Sequence, residues 1–257
     1  MPDFPPHVTF IDLRSVREKL QSIPKFKILC SAIKRHQDIC SIEADLRYAR
    51  NDLDLCVEIA QVGDQIKVLE QNVVDARPVG ALFFQALVLY TRATKSQSRH
   101  RGMAPIVDLY HNEFKQLHSK ITEIRDDIFA HFGPGTDHAG GFWSREAIVL
   151  CVNDSGMIRI SNPAVRTNYR QWAIQGLSDL IYHAYEICLS LSAEREQILV
   201  NQIGLLHNSS EFLDAIKLSA FDPKKFFTTE VAATEFSENF GKISRLINSL
   251  HPSGSQI

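Results

Sequence analysis

Apolar side chains recur at the spacing of α-helices along most of this chain. The clearest run is Ile39, Ile42, Leu46, Ala49, Leu53, Cys56 and Ala60, which step alternately by three and four residues. That stepping keeps every member on one face, and it predicts a helix packed on another helix along the stripe. Upstream, residues 1–23 begin proline-rich and then predict a short helical piece over Leu13 to Ile23, and a longer helix follows from Pro24. A Pro78-Val79-Gly80 break opens the next helix, which carries Leu82, Phe83, Ala86, Leu87 and Tyr90 inward. After Pro105 the stepping returns as Tyr110, Phe114, Leu117, Ile121, Ile124, Ile128 and His131, an unbroken seam whose last member is a histidine. Gly133-Pro134 ends that helix, the glycine suiting a left-handed position just past the last turn.

The period then changes. Ala147–Val152 and Met157–Ile160 flank an Asn-Asp-Ser-Gly stretch, which predicts a β-hairpin. Asn162-Pro163 has the composition of a helix start and predicts a fourth long helix bearing Val165, Trp172, Leu180, Ala184, Ile187 and Leu191. Beyond residue 193 the pattern predicts two or three further helices and a polar tail. The fold class expected is therefore all-α. An antiparallel four-helix bundle over 24–192 contains an inserted β-hairpin, and terminal segments over 1–23 and 193–257 add to it.

Composition narrows the class of protein. Apolar residues make up 44% and charged residues 23%, so the chain can bury a substantial core. The net charge of −2 carries no overall basicity, and any nucleic-acid contact must come from a local patch. Five cysteines without a CxxC pair read as free thiols in a reducing compartment. The N-terminus lacks the basic and apolar regions of a secretory signal, and the most apolar window, Val79 to Tyr90, is too short to span a bilayer. A cytoplasmic protein without membrane contact is expected. Between Ser41 and Asp75 eight Asp and Glu face three Lys and Arg, which reads as a solvated acidic surface.

One segment carries a chemical pattern: Arg-Asp-Asp-Ile-Phe-Ala-His, Arg125 to His131, at the end of the third long helix. Scattered histidines show no metal-ligand spacing, and neither a metal nor a cofactor is expected. One reaction that an arginine–histidine pair can serve is metal-free RNA cleavage, in which the ribose 2′-OH gives up its proton and attacks the adjacent phosphorus, the 5′-oxygen of the next nucleotide leaves with a proton, and a 2′,3′-cyclic phosphate remains. Histidine titrates in the range such proton transfer needs, which suits His131. A guanidinium can hold the phosphate and its growing charge, which suits Arg125. Asp126 can orient either group. On an ideal α-helix, six residues rise ~9 Å and turn two side chains about 120° apart, so one helix does not easily aim both at one phosphate. Two such helices meeting across a two-fold axis bring two Arg–His pairs into one cleft.

This segment resembles the hallmark of the HEPN superfamily, compact four-helix domains that include many ribonucleases of toxin–antitoxin, CRISPR and phage-defence systems. The hallmark is an arginine, usually followed by a polar residue, then a histidine after four to six intervening residues; here these are Arg125, Asp126 and His131. The resemblance spans about residues 35 to 192. It implies a metal-independent endoribonuclease, a toxin or defence effector acting on RNA. It also implies a homodimer with a composite site, and an antitoxin or other protein partner. A basic stretch over residues 91–102 holds Arg92, Lys95, Arg99 and Arg101 without an acidic residue, and it is the candidate RNA-backbone track. The competing reading is a non-catalytic helical module that binds a nucleotide or a protein. In that case Arg125 pairs with groups near Glu123 or with Asp residues on another helix, and a protonated His131 suits the dipole at the helix end.

Overall fold

In a computed structural model, the described residues are 10–70, 77–95, 101–129, 144–152, 158–166, 169–206 and 208–238. Side-chain surroundings are described over 10–59, 78–95, 101–126, 146–151, 159–163, 169–206 and 208–238. The chain is mostly helical: α1 (Leu13–Leu20), α2 (Lys27–Glu70), α3 (Arg77–Lys95), α4 (Asn112–Glu123), α5 (Gln171–Leu206), α6 (Ser210–Lys217) and the short α7 (Pro223–Phe226). Residues 230–238 are also helical. Among the described residues, no helix is long and apolar enough to cross a membrane.

Two compact units divide the chain, one formed by residues 35–197 and the other by 1–34 with 198–257. The 35–197 unit is built on the seams visible in the sequence. Ile39, Ile42, Leu46, Ala49, Leu53 and Cys56 are all at most 2% exposed, so the three–four stepping of α2 is a buried stripe. Phe83, Ala86, Leu87 and Tyr90 of α3 join the same core, as do Ile121 and Ile124 and the α5 residues Ala173, Leu177, Leu180, Ile181 and Ala184. Gly176 lets α5 approach α4 closely, because a β-carbon there would lie 3.0 Å from Leu117 Cδ1.

The other unit joins residues 10–34 to residues 198–238. Asp12 caps α1 by accepting from the Arg14 amide at 2.9 Å. Ile11 bridges Ala220 in antiparallel fashion, and the Phe221 amide donates to the Phe10 carbonyl at 2.8 Å. Val16, Leu20, Phe26, Leu29 and Ile33 pack with Leu199, Phe212 and Ala215 beneath this clasp.

Three local expectations are corrected. The third long helix does not begin directly after Pro105: a 3-10 turn over Val107–Leu109 intervenes, and Tyr110 is extended yet buried. That helix also leaves α-geometry early, since Ile124–Phe129 is π-helical. Asn162-Pro163 does not open a helix. It interrupts an antiparallel ribbon in which Val149–Val152 (β2) pairs with Ile158–Ser161 (β3) and Ser144–Glu146 (β1) pairs with Ala164–Arg166 (β4). The Pro163 carbonyl accepts from the Ala147 amide at 3.0 Å, so the proline sits where it owes no amide donor to the ladder. The fourth helix starts at Gln171. The expected hairpin pairing over β2 and β3 is present; its turn lies outside the described residues.

Candidate active site

The candidate motif sits where α4 changes its hydrogen-bond ladder. The buried Thr122 hydroxyl donates back to the His118 carbonyl at 2.9 Å and to the Ser119 carbonyl at 3.1 Å. Such back-bonding competes with the regular ladder. Directly after it the chain adopts the wider π-helical turns over Ile124–Phe129, a form that recurs at functional sites. Arg125 and Asp126 stand on these turns, and Ile124 is buried beneath them. The rise and rotation of an ideal α-helix therefore do not describe the path leading out of Arg125.

α3 packs against both α4 and the π-helical turns and delivers Lys95 from its last turn. Lys95 Nζ donates to Asp126 Oδ2 at 2.9 Å, and the Arg125 guanidinium donates to Asp126 Oδ1 at 2.6 Å. These two hydrogen bonds, Arg125's first and then Lys95's, hold the Asp126 carboxyl below its ordinary range. Three of the site residues expected from sequence thus converge. His131 and Arg99 lie outside the described residues.

Arg92 and Arg101 converge elsewhere. Both bind Asp45 of α2, whose side chain is only 8% exposed: Arg92 Nε donates to Oδ2 at 2.8 Å, and Arg101 also donates to that oxygen, at 2.5 Å. Arg92 reaches Oδ1 as well, and Arg101 donates to the Arg92 carbonyl. Burial acts to raise the Asp45 pKa, but the two guanidinium groups outweigh it and the net shift is downward. The adjoining Gly102 lies so close to buried Asp38 that a β-carbon there would stand 3.0 Å from its Oδ2. Of the expected basic track, these two arginines anchor a segment of chain to α2.

A further titratable group lies beside the motif. His118 Nδ1 is 2.8 Å from the Tyr90 hydroxyl, which is 3.2 Å from the Tyr110 hydroxyl. Burial, and secondarily the charge of Lys95, pushes His118 down to about 4, so its imidazole is neutral near pH 7. Burial also pushes Tyr90 upward and Tyr110 up to about 12, so both are neutral phenols that satisfy one another in the core. His118 carries no sequence signal beyond its place on the motif helix, seven residues before Arg125. Asp45 carries a faint one: it directly precedes Leu46 of the buried stripe.

Comparison with known proteins returns no matching family model, no matching characterised protein and no matching solved structure. Among the described residues, no group of three or more His, Cys, Asp and Glu is gathered as a metal site.

Proposed function

We propose that this chain is a metal-independent endoribonuclease of HEPN type that works as a homodimer, with Arg125 and His131 as its catalytic pair. The observation that carries the reading is the half-exposed Arg125 on π-helical turns, with Lys95 brought to the same carboxylate by a second helix. A guanidinium and an ammonium held together at the surface suit a phosphodiester whose charge grows as the 2′-oxygen attacks. His131 serves as the proton-transfer group, six residues along the chain. Asp126 orients Arg125 in the free protein. A toxin or defence role, with an antitoxin as partner, belongs to the same proposal. The test is cleavage of RNA by purified protein in EDTA. Arg125→Ala and His131→Ala should each lower the rate by at least about a hundredfold while keeping the wild-type helical signal. Undiminished cleavage by either folded variant contradicts the assignment.

A second reading is favoured by one observation. Arg92 and Arg101 are committed to Asp45, whose single carboxylate offsets one of their two charges. A non-catalytic helical module that binds a protein would tolerate this arrangement. It predicts no RNA cleavage in any condition and no effect of Arg125→Ala on RNA affinity.

A further inference from the structure

Asp126 spends its two carboxylate oxygens on two different cations. Oδ2 takes Lys95 at the end of α3, and Oδ1 takes Arg125 on the neighbouring π-helical turns. All three side chains are between 37 and 51% exposed, so water reaches the cluster from outside. Exposed ion pairs of this kind hold together weakly. The contact between Arg125 and Asp126 is itself unusual, because adjacent residues on an α-helix do not face one another. It forms where the ladder has widened, and it leaves the two cations one carboxylate apart. The two oxygens of that carboxylate carry the charge and the paired acceptors that the non-bridging oxygens of a phosphodiester would present to the same donors. Neutral His118 adds no competing charge, and Thr94 and Thr91 beside Lys95 turn their hydroxyls back to their own helix.

We propose that Lys95 and Arg125 form a single phosphate-binding position, which Asp126 fills in the free protein and leaves when an RNA phosphodiester arrives. The ligand assignment rests on the reading of this chain as an RNA-cleaving protein; the site rests on the contacts above. Asp126 is then an internal competitor that weakens RNA binding while it holds both cations in place. Lys95 becomes a member of the site alongside Arg125 and is set apart from Arg92 and Arg101, which serve the fold.

The test is binding of a fully 2′-O-methylated oligoribonucleotide, which has no 2′-OH to attack, followed by fluorescence anisotropy across a salt series. Asp126→Asn should bind about three- to tenfold more tightly than wild type. Its plot of log affinity against log salt should steepen by up to about 0.7, because the same phosphate contact is then made by a site with one more unit of net positive charge. Asp126→Ala should show the same gain, and thermal melts of both variants confirm the fold. Adding Lys95→Ala or Arg125→Ala to Asp126→Asn should erase most of it. Affinity no higher than wild type in both Asp126 variants overturns the proposal, as does a gain that survives Lys95→Ala. Inorganic phosphate at constant ionic strength forms a second arm. If it protects Asp126→Asn from heat better than wild type while no form binds the oligonucleotide, the anion site stands and RNA as its ligand is overturned. Tight oligonucleotide binding with the expected variant pattern but no cleavage of ordinary RNA supports the site and contradicts only the nuclease reading.

Discussion

Replacing Asp45 by Asn removes one charge and almost no volume from a position that is 8% exposed. Two guanidinium groups then lose their shared counter-charge, and they do so unequally. Arg101 is 13% exposed and cannot easily turn to water, so its hydrogen bond is worth roughly 1.5–3 kcal/mol, the range for bonds to charged groups. Arg92 is 53% exposed, and solvent screening limits its share to less than about 1 kcal/mol. The sum is a loss of about 1.5–4 kcal/mol. For a protein of this size that corresponds to a fall of roughly 3–16 °C in the melting midpoint. Urea unfolding followed by circular dichroism reads it directly, with the single variants Arg92→Ala and Arg101→Ala beside it. Arg101→Ala should cost more than Arg92→Ala. The pH dependence has a defined sign. Because the folded pKa of Asp45 lies below the ordinary 3.8, its contribution is full above that value and disappears as pH falls through the lower folded value. The gap between wild type and Asp45→Asn should therefore narrow in strong acid. A loss under about 0.5 kcal/mol at neutral pH, or equal costs for the two arginines, refutes the reasoning.

Three other predictions follow from the core around the site. His118 is held down to about 4 from 6.5, so the unfolded chain binds the proton first. Stability should fall as pH drops from 6.5 to 4, by on the order of 3 kcal/mol, and His118→Gln should remove that slope from the titration of unfolding free energy. Tyr90→Phe leaves Tyr110 and His118 without their shared hydroxyl, and it should cost about 1–3 kcal/mol in denaturant melts. Gly176→Val forces a branched side chain to within 3.0 Å of Leu117, and it should cost about 1–3 kcal/mol; a neutral effect means the α4–α5 approach is looser than described.

The helical seams were legible because they depend only on the period of the α-helix. Every described member of the α2 stripe is buried; of the α3 residues expected inward, Phe83, Ala86, Leu87 and Tyr90 are buried and Leu82 is half-buried. Tyr110 was placed in the core by the same pattern even though its backbone is extended, since burial follows the side chain and not the ladder. Asn162-Pro163 misled because the dipeptide suits both a helix start and a break in a β-ribbon, and the choice is made by the Ala147 amide across the strand. The π-helical turns had no local signature. The ion pairs were equally hidden, because they join residues far apart in sequence: Asp45 was counted in a solvated acidic surface, yet Arg92, 47 residues later, and Arg101 bury it. The convergence of Lys95 with Arg125 and Asp126 needed α3 and α4 side by side. The clasp of Ile11 with Ala220 closes nearly the full chain and leaves no periodic trace.

The reaction proposed for this chain is attack of a 2′-hydroxyl on its own phosphodiester at a site organised by Arg125. One measurement addresses it most directly: incubate wild-type protein in EDTA with an oligoribonucleotide and with the oligodeoxyribonucleotide of the same sequence, and analyse the product ends. The proposed reaction cuts only the RNA and leaves upstream fragments that end in a 2′,3′-cyclic phosphate. Cleavage of the DNA, or an intact RNA at protein concentrations that support dimer formation, contradicts it.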